Sequence, residues 1–251
     1  MGTSLIESVL RRDKAIVLTG LALVTVVAWA YTFAGAGLAG MAMMQPMTWT
    51  FGHGLLVLAM WWVMMIAMMA PSAAPMVLLF AAVGRNQREA GSPYVPTAVF
   101  LSGFLAIWGL FSAAATGAQW GLEAAGFSPM MAGTGGALGG AVLIAAGLYQ
   151  VTPIKQACLR HCRGPIVFLT RHWRPGWAGA WRMGLEHGAY CLGCCWVLMA
   201  LLFVGGIMNV LWIGGLALYV LFEKTVPAGH WLAYAAGAAL MVWGIAMVAG
   251  L

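Results

Sequence analysis

Charged residues are scarce in this sequence. Twelve of its 251 residues are Lys or Arg and six are Asp or Glu, which makes 7% of the chain, whereas soluble domains carry about 25%. Hydrophobic residues make up 63%, and the mean hydropathy is +0.92. A soluble domain is therefore excluded. Because backbone groups in lipid must be satisfied within helices, we predict an all-α, polytopic transmembrane bundle.

Two kinds of functional motif are also missing. The sequence has no GxGxxG or phosphate-binding loop, and it has no dense constellation of acids and bases. These absences argue against nucleotide-driven pumping and hydrolysis, and they favour a binding or transport protein over an enzyme. The net charge of +6 does not indicate nucleic-acid binding, because the basic residues form no continuous face.

Seven apolar runs predict membrane spans within a single integral membrane domain, 1–251. The runs cover about 15–34, 53–83, 97–118, 135–152, 183–204, 207–223 and 231–250. The twelve basic residues lie in four segments between them: Arg11, Arg12 and Lys14; Arg85 and Arg88; Lys155, Arg160, Arg163, Arg171, Arg174 and Arg182; and Lys224. With seven spans these segments share one side, which predicts a cytoplasmic N-terminus and a cytoplasmic loop over 153–182.

The fifth predicted span contains the stretch HGAYCLGCCW, with one histidine and three of the five cysteines. At about 100° per residue, five side chains project within an arc of about 120° on one helix face. They are Met183, His187, Cys191, Cys194 and Cys195. A single buried cysteine is ordinarily packing, but three cysteines aligned with a histidine and a methionine indicate a soft-metal site.

A second thiol group lies upstream, where Cys158 and Cys162 are four residues apart with His161 between them. On the predicted topology all five cysteines lie in the cytoplasmic half, where thiols stay reduced. Methionines repeat along the second span, and Met65 and Met69 are candidate secondary ligands with Met183 and His161. Thiolates select Cu(I), Zn(II) or iron–sulfur clusters, and the thioethers favour Cu(I) over Zn(II).

Several alternatives stay open at this stage. Cys191 and Cys194 form a C-x-x-C pair, which would suit a membrane thiol–disulfide oxidoreductase. The site could also stabilise the helices of a structural subunit. The two thiol groups could form one coupled site or two, with Cys158 and Cys162 as a cytoplasmic loading pair. Glu223 and Lys224, which end the sixth span, are interpreted as interfacial anchors.

Five stretches, MMIAMMAPSAAPM, YQVTPIKQACLRHCRGP, MGLEHGAYCLGCCWVLM, GIMNVLWI and FEKTVP, carry a resemblance to a known family. Over about residues 50–230 the chain resembles an uncharacterised bacterial family of predicted metal-binding integral membrane proteins. The resemblance implies a bacterial inner-membrane protein whose motif positions are Cys158, Cys162, His187, Cys191, Cys194 and Cys195. Beside membrane lipid, the expected partners are a metallochaperone or a membrane cuproenzyme, and the expected role is copper transport or delivery.

Overall fold

The computed structural model describes residues 2–42, 49–89, 95–126, 136–227 and 229–250, and these residues form helices joined by short connections. The helices, in chain order, are α1 Gly2–Ala42, α2 Phe51–Glu89, α3 Thr97–Ala124, α4 Gly136–Gln150, α5 Pro153–Arg163, α6 Pro165–His172, α7 Gly176–Ala200, α8 Leu202–Gly205, α9 Val210–Thr225 and α10 Gly229–Ala249. The described part contains no strand, so the all-α prediction is confirmed. The methionine-rich stretch MAMMQPM lies largely outside the described residues.

Five helical segments are long and apolar enough to cross a membrane. They cover Lys14–Ala36, Phe51–Arg85, Thr97–Ala124, Gly176–Gly205 and Gly229–Ala249. The pair α4 and α5 would make a sixth span if taken together, although the two helices are bent by 64° at their junction. The fourth and sixth predicted spans correspond to α4 and α9, whose 15 and 16 residues are short for a ~30 Å hydrocarbon core.

The second span is a single long helix, α2, that continues through Pro71 and Pro75. Proline removes a backbone donor, and such interruptions are tolerated in membrane helices where neighbouring groups satisfy the freed carbonyls. Ser72 lies between the two prolines, and its Oγ donates a hydrogen bond of 2.9 Å to the Met69 carbonyl. The continuous helix holds Met69 and Ser72 in fixed register, facing the centre of the bundle.

Glycines allow α7 to pack closely on α3. A Cβ added to Gly184 would overlap the Phe100 carbonyl oxygen, and one added to Gly103 would overlap the Trp181 carbonyl oxygen. Helices α4 and α10 also pack closely at a glycine, because a Cβ on Gly140 would lie 2.8 Å from the Gly244 carbonyl oxygen. Small residues let helix backbones approach in this way in membranes. The α3 contact fixes the position of α7, which carries three of the cysteines.

The segment 153–182, predicted to connect two spans, consists largely of the helices α5 and α6 and the start of α7. Thr152 caps α5 by accepting a hydrogen bond from the Lys155 backbone N–H, and Pro153 occupies the first turn, where a missing donor costs nothing. Pro165 occupies the first turn of α6, as Pro153 does in α5, and α7 starts at Gly176. Helix α5 packs against α7, which brings the two thiol groups of the sequence together.

Candidate metal site

The thiols of α5 meet α7 in the interior of the bundle. The Sγ atoms of Cys162 and Cys194 lie 3.9 Å apart, although 32 positions separate the two residues in sequence. Cys158 lies one turn earlier on α5, beside Gly193, where an added Cβ would be 2.8 Å from the Cys158 Sγ. Gly193 therefore leaves the space that the α5 thiol occupies. Its carbonyl oxygen accepts a hydrogen bond of 2.5 Å from the Tyr149 hydroxyl, which ties α4 to the same point.

The three cysteines of α7 are buried on one face, as their spacing predicts. The Sγ atoms of Cys194 and Cys195 donate to the Cys191 carbonyl oxygen at 3.1 and 2.9 Å. Such bonds to a carbonyl of the preceding turn satisfy weak thiol donors inside a helix. All five cysteines of the chain are free thiols.

A methionine from α2 completes the group of sulfur atoms. The Met69 Sδ lies 4.0 Å from the Cys195 Sγ, and both side chains are buried. Sulfur atoms from α2, α5 and α7 thus converge in one region of the interior. We call the side chains of Cys162, Cys191, Cys194, Cys195 and Met69 the sulfur cluster.

Lys224, near the end of α9, points its ammonium group into the sulfur cluster. Its Nζ lies 3.0 Å from the Cys191 Sγ, 3.3 Å from the Ser72 Oγ and 4.0 Å from the Met69 Sδ. Only 7% of Lys224 is exposed, so its interpretation as an interfacial anchor is wrong. A buried ammonium needs an anionic partner, and the Cys191 thiolate is suited to that role.

Glu223 is also buried rather than interfacial, and it joins a polar network beside the cluster. Its Oε1 lies 2.6 Å from the Lys155 Nζ, and neither side chain is exposed. The Tyr219 hydroxyl donates to the same oxygen at 3.1 Å, and Lys155 also donates to Gln150. This network ties the start of α5 to the end of α9, which are the helices that bring Cys162 and Lys224 to the cluster.

His187 is buried on the cysteine face of α7, but its ring lies among aromatic side chains. The centroids of Phe168, Phe104 and Phe100 are 5.5, 5.8 and 6.1 Å from the imidazole centroid. Only 3% of His187 is exposed, and its Nδ1 has no hydrogen-bond partner within the described part of the chain. Helical spacing therefore predicts correctly that His187 shares a face of α7 with the cysteines, but it does not predict the aromatic side chains around the ring.

The other predicted site residues have contacts outside the sulfur cluster or are buried in the core. Met183 and Met65 are buried in the core. The His161 imidazole stacks on Tyr190 with centroids 4.1 Å apart, and its Nδ1 lies 2.9 Å from the Ala157 carbonyl oxygen. The Glu186 carboxylate, next to His187 in sequence, pairs with Arg174 and Arg182 at 3.1 and 3.3 Å.

The candidate site combines soft sulfur ligands with the ammonium group of Lys224. Across the residues that the structure describes, no group of three or more His, Cys, Asp or Glu side chains is arranged as a ready-made metal site. The closest sulfur pairs are Cys162 with Cys194 at 3.9 Å and Cys195 with Met69 at 4.0 Å, and the Cys191 Sγ accepts from Lys224. Thiolate and thioether donors select soft ions over hard ones such as Mg²⁺ or Ca²⁺.

Comparisons with known proteins agree with this chemistry. No curated protein and no solved structure matches the chain. A family model described as PpoB2, copper chaperone, matches residues 58–247, a range that includes all five cysteines, Met69 and Lys224. The match covers about three quarters of the sequence, and the chain belongs to this family of copper chaperones.

Proposed function

We propose that this protein is a multi-pass membrane protein that binds Cu(I) at the sulfur cluster and passes it to a partner. The observation that carries the proposal is the convergence of sulfur atoms from three helices, with the Sγ atoms of Cys162 and Cys194 3.9 Å apart. Membership of a copper chaperone family supports the metal. The partners we propose are a metallochaperone that supplies copper and a membrane cuproenzyme that receives it.

The sulfur spacing supports a shared metal ion. Two thiolates bound to one ion at about 2.3 Å each, with angles between 109° and 120°, have sulfurs about 3.8–4.0 Å apart. The 3.9 Å between Cys162 and Cys194 falls within that range. Cys191, Cys195 and Met69 would supply a further ligand after side-chain rotation. A thioether is a ligand suited to Cu(I), and this favours Cu(I) over Zn(II).

The remaining site residues take secondary roles in the proposal. Cys158 and Cys162 on α5 are half-buried, whereas the three cysteines of α7 are buried, so Cys158 would receive copper from the cytoplasmic side. The His187 Nδ1 has no hydrogen-bond partner among the described residues, but the ring has aromatic neighbours, so His187 is a weaker ligand candidate than the thiols. Met183, Met65 and His161 are further candidates whose present contacts are with the core and with Tyr190.

We also propose that the chain is a single domain with seven spans in a bacterial inner membrane and a cytoplasmic N-terminus. The charge asymmetry supports this orientation. Contacts between the basic segments are consistent with it: Trp173 packs on Phe80 near the end of α2 at 5.7 Å between centroids, and Arg163 donates to the Val226 carbonyl oxygen after α9. The ends of α2 and α9 and the helices α5 and α6 therefore lie together.

The decisive experiment is anaerobic purification of the full chain in detergent, followed by measurement of bound metals and free thiols. We expect bound copper, protection of thiols from labelling in proportion to copper, and recovery of labelling after a Cu(I) chelator is added. Cys194→Ser should lose most of the copper. Protein without metal and with a resting disulfide between Cys191 and Cys194 would instead support the oxidoreductase alternative.

A matched pair of methionine variants tests the composition of the cluster. Met69→Leu removes the Sδ that lies 4.0 Å from Cys195, whereas Met76→Leu makes the same change at another buried position of α2. Leucine conserves volume, so both changes should cost less than about 1.5 kcal/mol in stability. Weaker Cu(I) binding in Met69→Leu alone is expected, and equal affinities in the two variants would remove Met69 from the ligand set.

A further inference from the structure

Lys224 is a cation built into a site proposed to bind a cation. Its partners in the described part of the chain are the Cys191 Sγ at 3.0 Å, the Ser72 Oγ at 3.3 Å and the Met69 Sδ at 4.0 Å. The neighbouring Glu223 carboxylate is not among these partners, and its Oε1 accepts from Lys155 and Tyr219. The charge of Lys224 is therefore directed at the sulfur cluster.

We propose that Lys224 is a specificity-determining residue, and that its fixed positive charge favours monovalent Cu(I) over divalent ions such as Zn(II). This inference rests on the proposed binding of copper by the sulfur cluster. An ion bound to Cys191 at about 2.3 Å would lie within about 5 Å of the Lys224 Nζ, given the 3.0 Å between Nζ and Sγ. Repulsion between the ammonium and the ion is proportional to the charge of the ion, so it is twice as large for Zn(II).

The burial of this lysine makes the repulsion effective. Charges at an exposed site are screened by water and salt, but 93% of Lys224 is inaccessible, since its exposed fraction is 7%. Thiolates alone bind both Cu(I) and Zn(II). A fixed positive charge beside them opposes the divalent ion more strongly than the monovalent ion without adding a ligand.

The ratio of two dissociation constants isolates this effect. Lys224 also favours the thiolate form of Cys191, and its removal would weaken the binding of any metal that uses that thiolate. That contribution is common to Cu(I) and Zn(II) bound by the same thiolates, so it cancels in the ratio of their dissociation constants. The part that remains is the difference in repulsion between a monovalent and a divalent ion.

The test compares Cu(I) and Zn(II) binding, measured by chelator competition, for the full chain in detergent. Lys224→Met and Lys224→Gln remove the charge, Lys224→Arg keeps it, and Arg171→Met removes an exposed positive charge from α6 as the matched control. We expect the Zn(II)/Cu(I) ratio of dissociation constants to fall at least about tenfold in the two neutral variants. The Arg variant and the control should stay close to the wild-type ratio.

Each outcome separates this inference from the proposed function. If the wild type binds no Cu(I) through its cysteines, the proposed function is overturned and the inference falls with it. If copper binds through the cysteines but the neutral variants keep the wild-type ratio, only the role of Lys224 is overturned. If both neutral variants fail to fold while Lys224→Arg folds, the charge serves folding, and the selectivity role is likewise overturned.

Discussion

Lys155→Met should destabilise the protein severely, although it removes no proposed metal ligand. The Lys155 Nζ and the Glu223 Oε1 are 2.6 Å apart with both side chains inaccessible to solvent. Without the lysine, Glu223 would be a buried carboxylate whose Oε1 keeps a hydrogen bond only from Tyr219, and whose Oε2 has no partner in the described structure. Removing one partner of a buried pair costs about 3–5 kcal/mol.

Two further variants distinguish the stability lost by breaking the buried pair from the stability lost by removing any positive charge. Arg182→Met removes a cation from an exposed pair with Glu186, since 66% of the Arg182 side chain is accessible, and should cost at most about 1 kcal/mol. Combining Lys155→Met with Glu223→Gln removes both charges while keeping an amide that accepts from Tyr219. The double variant should recover much of the loss, because the uncompensated charge is gone.

The measurement is unfolding in mixed micelles followed by tryptophan fluorescence, with copper content determined on the same samples. Lys155→Met should also lose copper, because the network holds α5, and with it Cys162, against the end of α9. The reasoning is refuted if Lys155→Met costs no more than Arg182→Met, or if the two substitutions at the buried pair add without coupling.

Three further predictions concern the thiol pair, the packing of α7 and the membrane orientation. Cys162→Ser and Cys194→Ser should each lose most of the Cu(I) affinity, and the double variant should add little, whereas additive losses of bound metal would favour two separate sites. Gly184→Ala should disrupt the packing of α7 on α3, since its Cβ would overlap the Phe100 carbonyl oxygen; native-like stability would contradict that contact. Reporter fusions should show periplasmic activity at about residues 45 and 127 and at the C-terminus, and none near 90 and 165; activity at 165 would reverse the orientation.

The sequence predicts the features that depend on one helix at a time. The spacing of Cys191, Cys194 and Cys195 places them on a common face of α7, and all three are buried there. Low charge and long apolar runs predict membrane-compatible helices, and five segments have the required length and composition. These features repeat with the period of the helix, so they are visible in the order of residues alone.

Features that depend on contacts between helices could not be read in this way. Lys224 and Glu223 follow an apolar run, and a charged pair at that position is typical of an interfacial anchor. Their burial depends on which face of α9 packs against the other helices, and on Lys155 and Cys191 reaching them from α5 and α7. A signal was nevertheless present: an acidic and a basic residue are adjacent in a chain with only 18 charged side chains.

The two buried lysines have different partners and therefore different proposed functions. Lys155 pairs with Glu223, and Lys224 contacts Cys191. Lys155 neutralises Glu223, so that pair is closed and stabilises the junction of α5 and α9. Lys224 has no carboxylate among its hydrogen-bond partners in the described structure, so its charge remains available to the sulfur cluster. If the two lysines served the same structural purpose, neutralising either would change stability alone. Because their partners differ, Lys155→Met should change stability, whereas Lys224→Met should change the ratio of metal affinities.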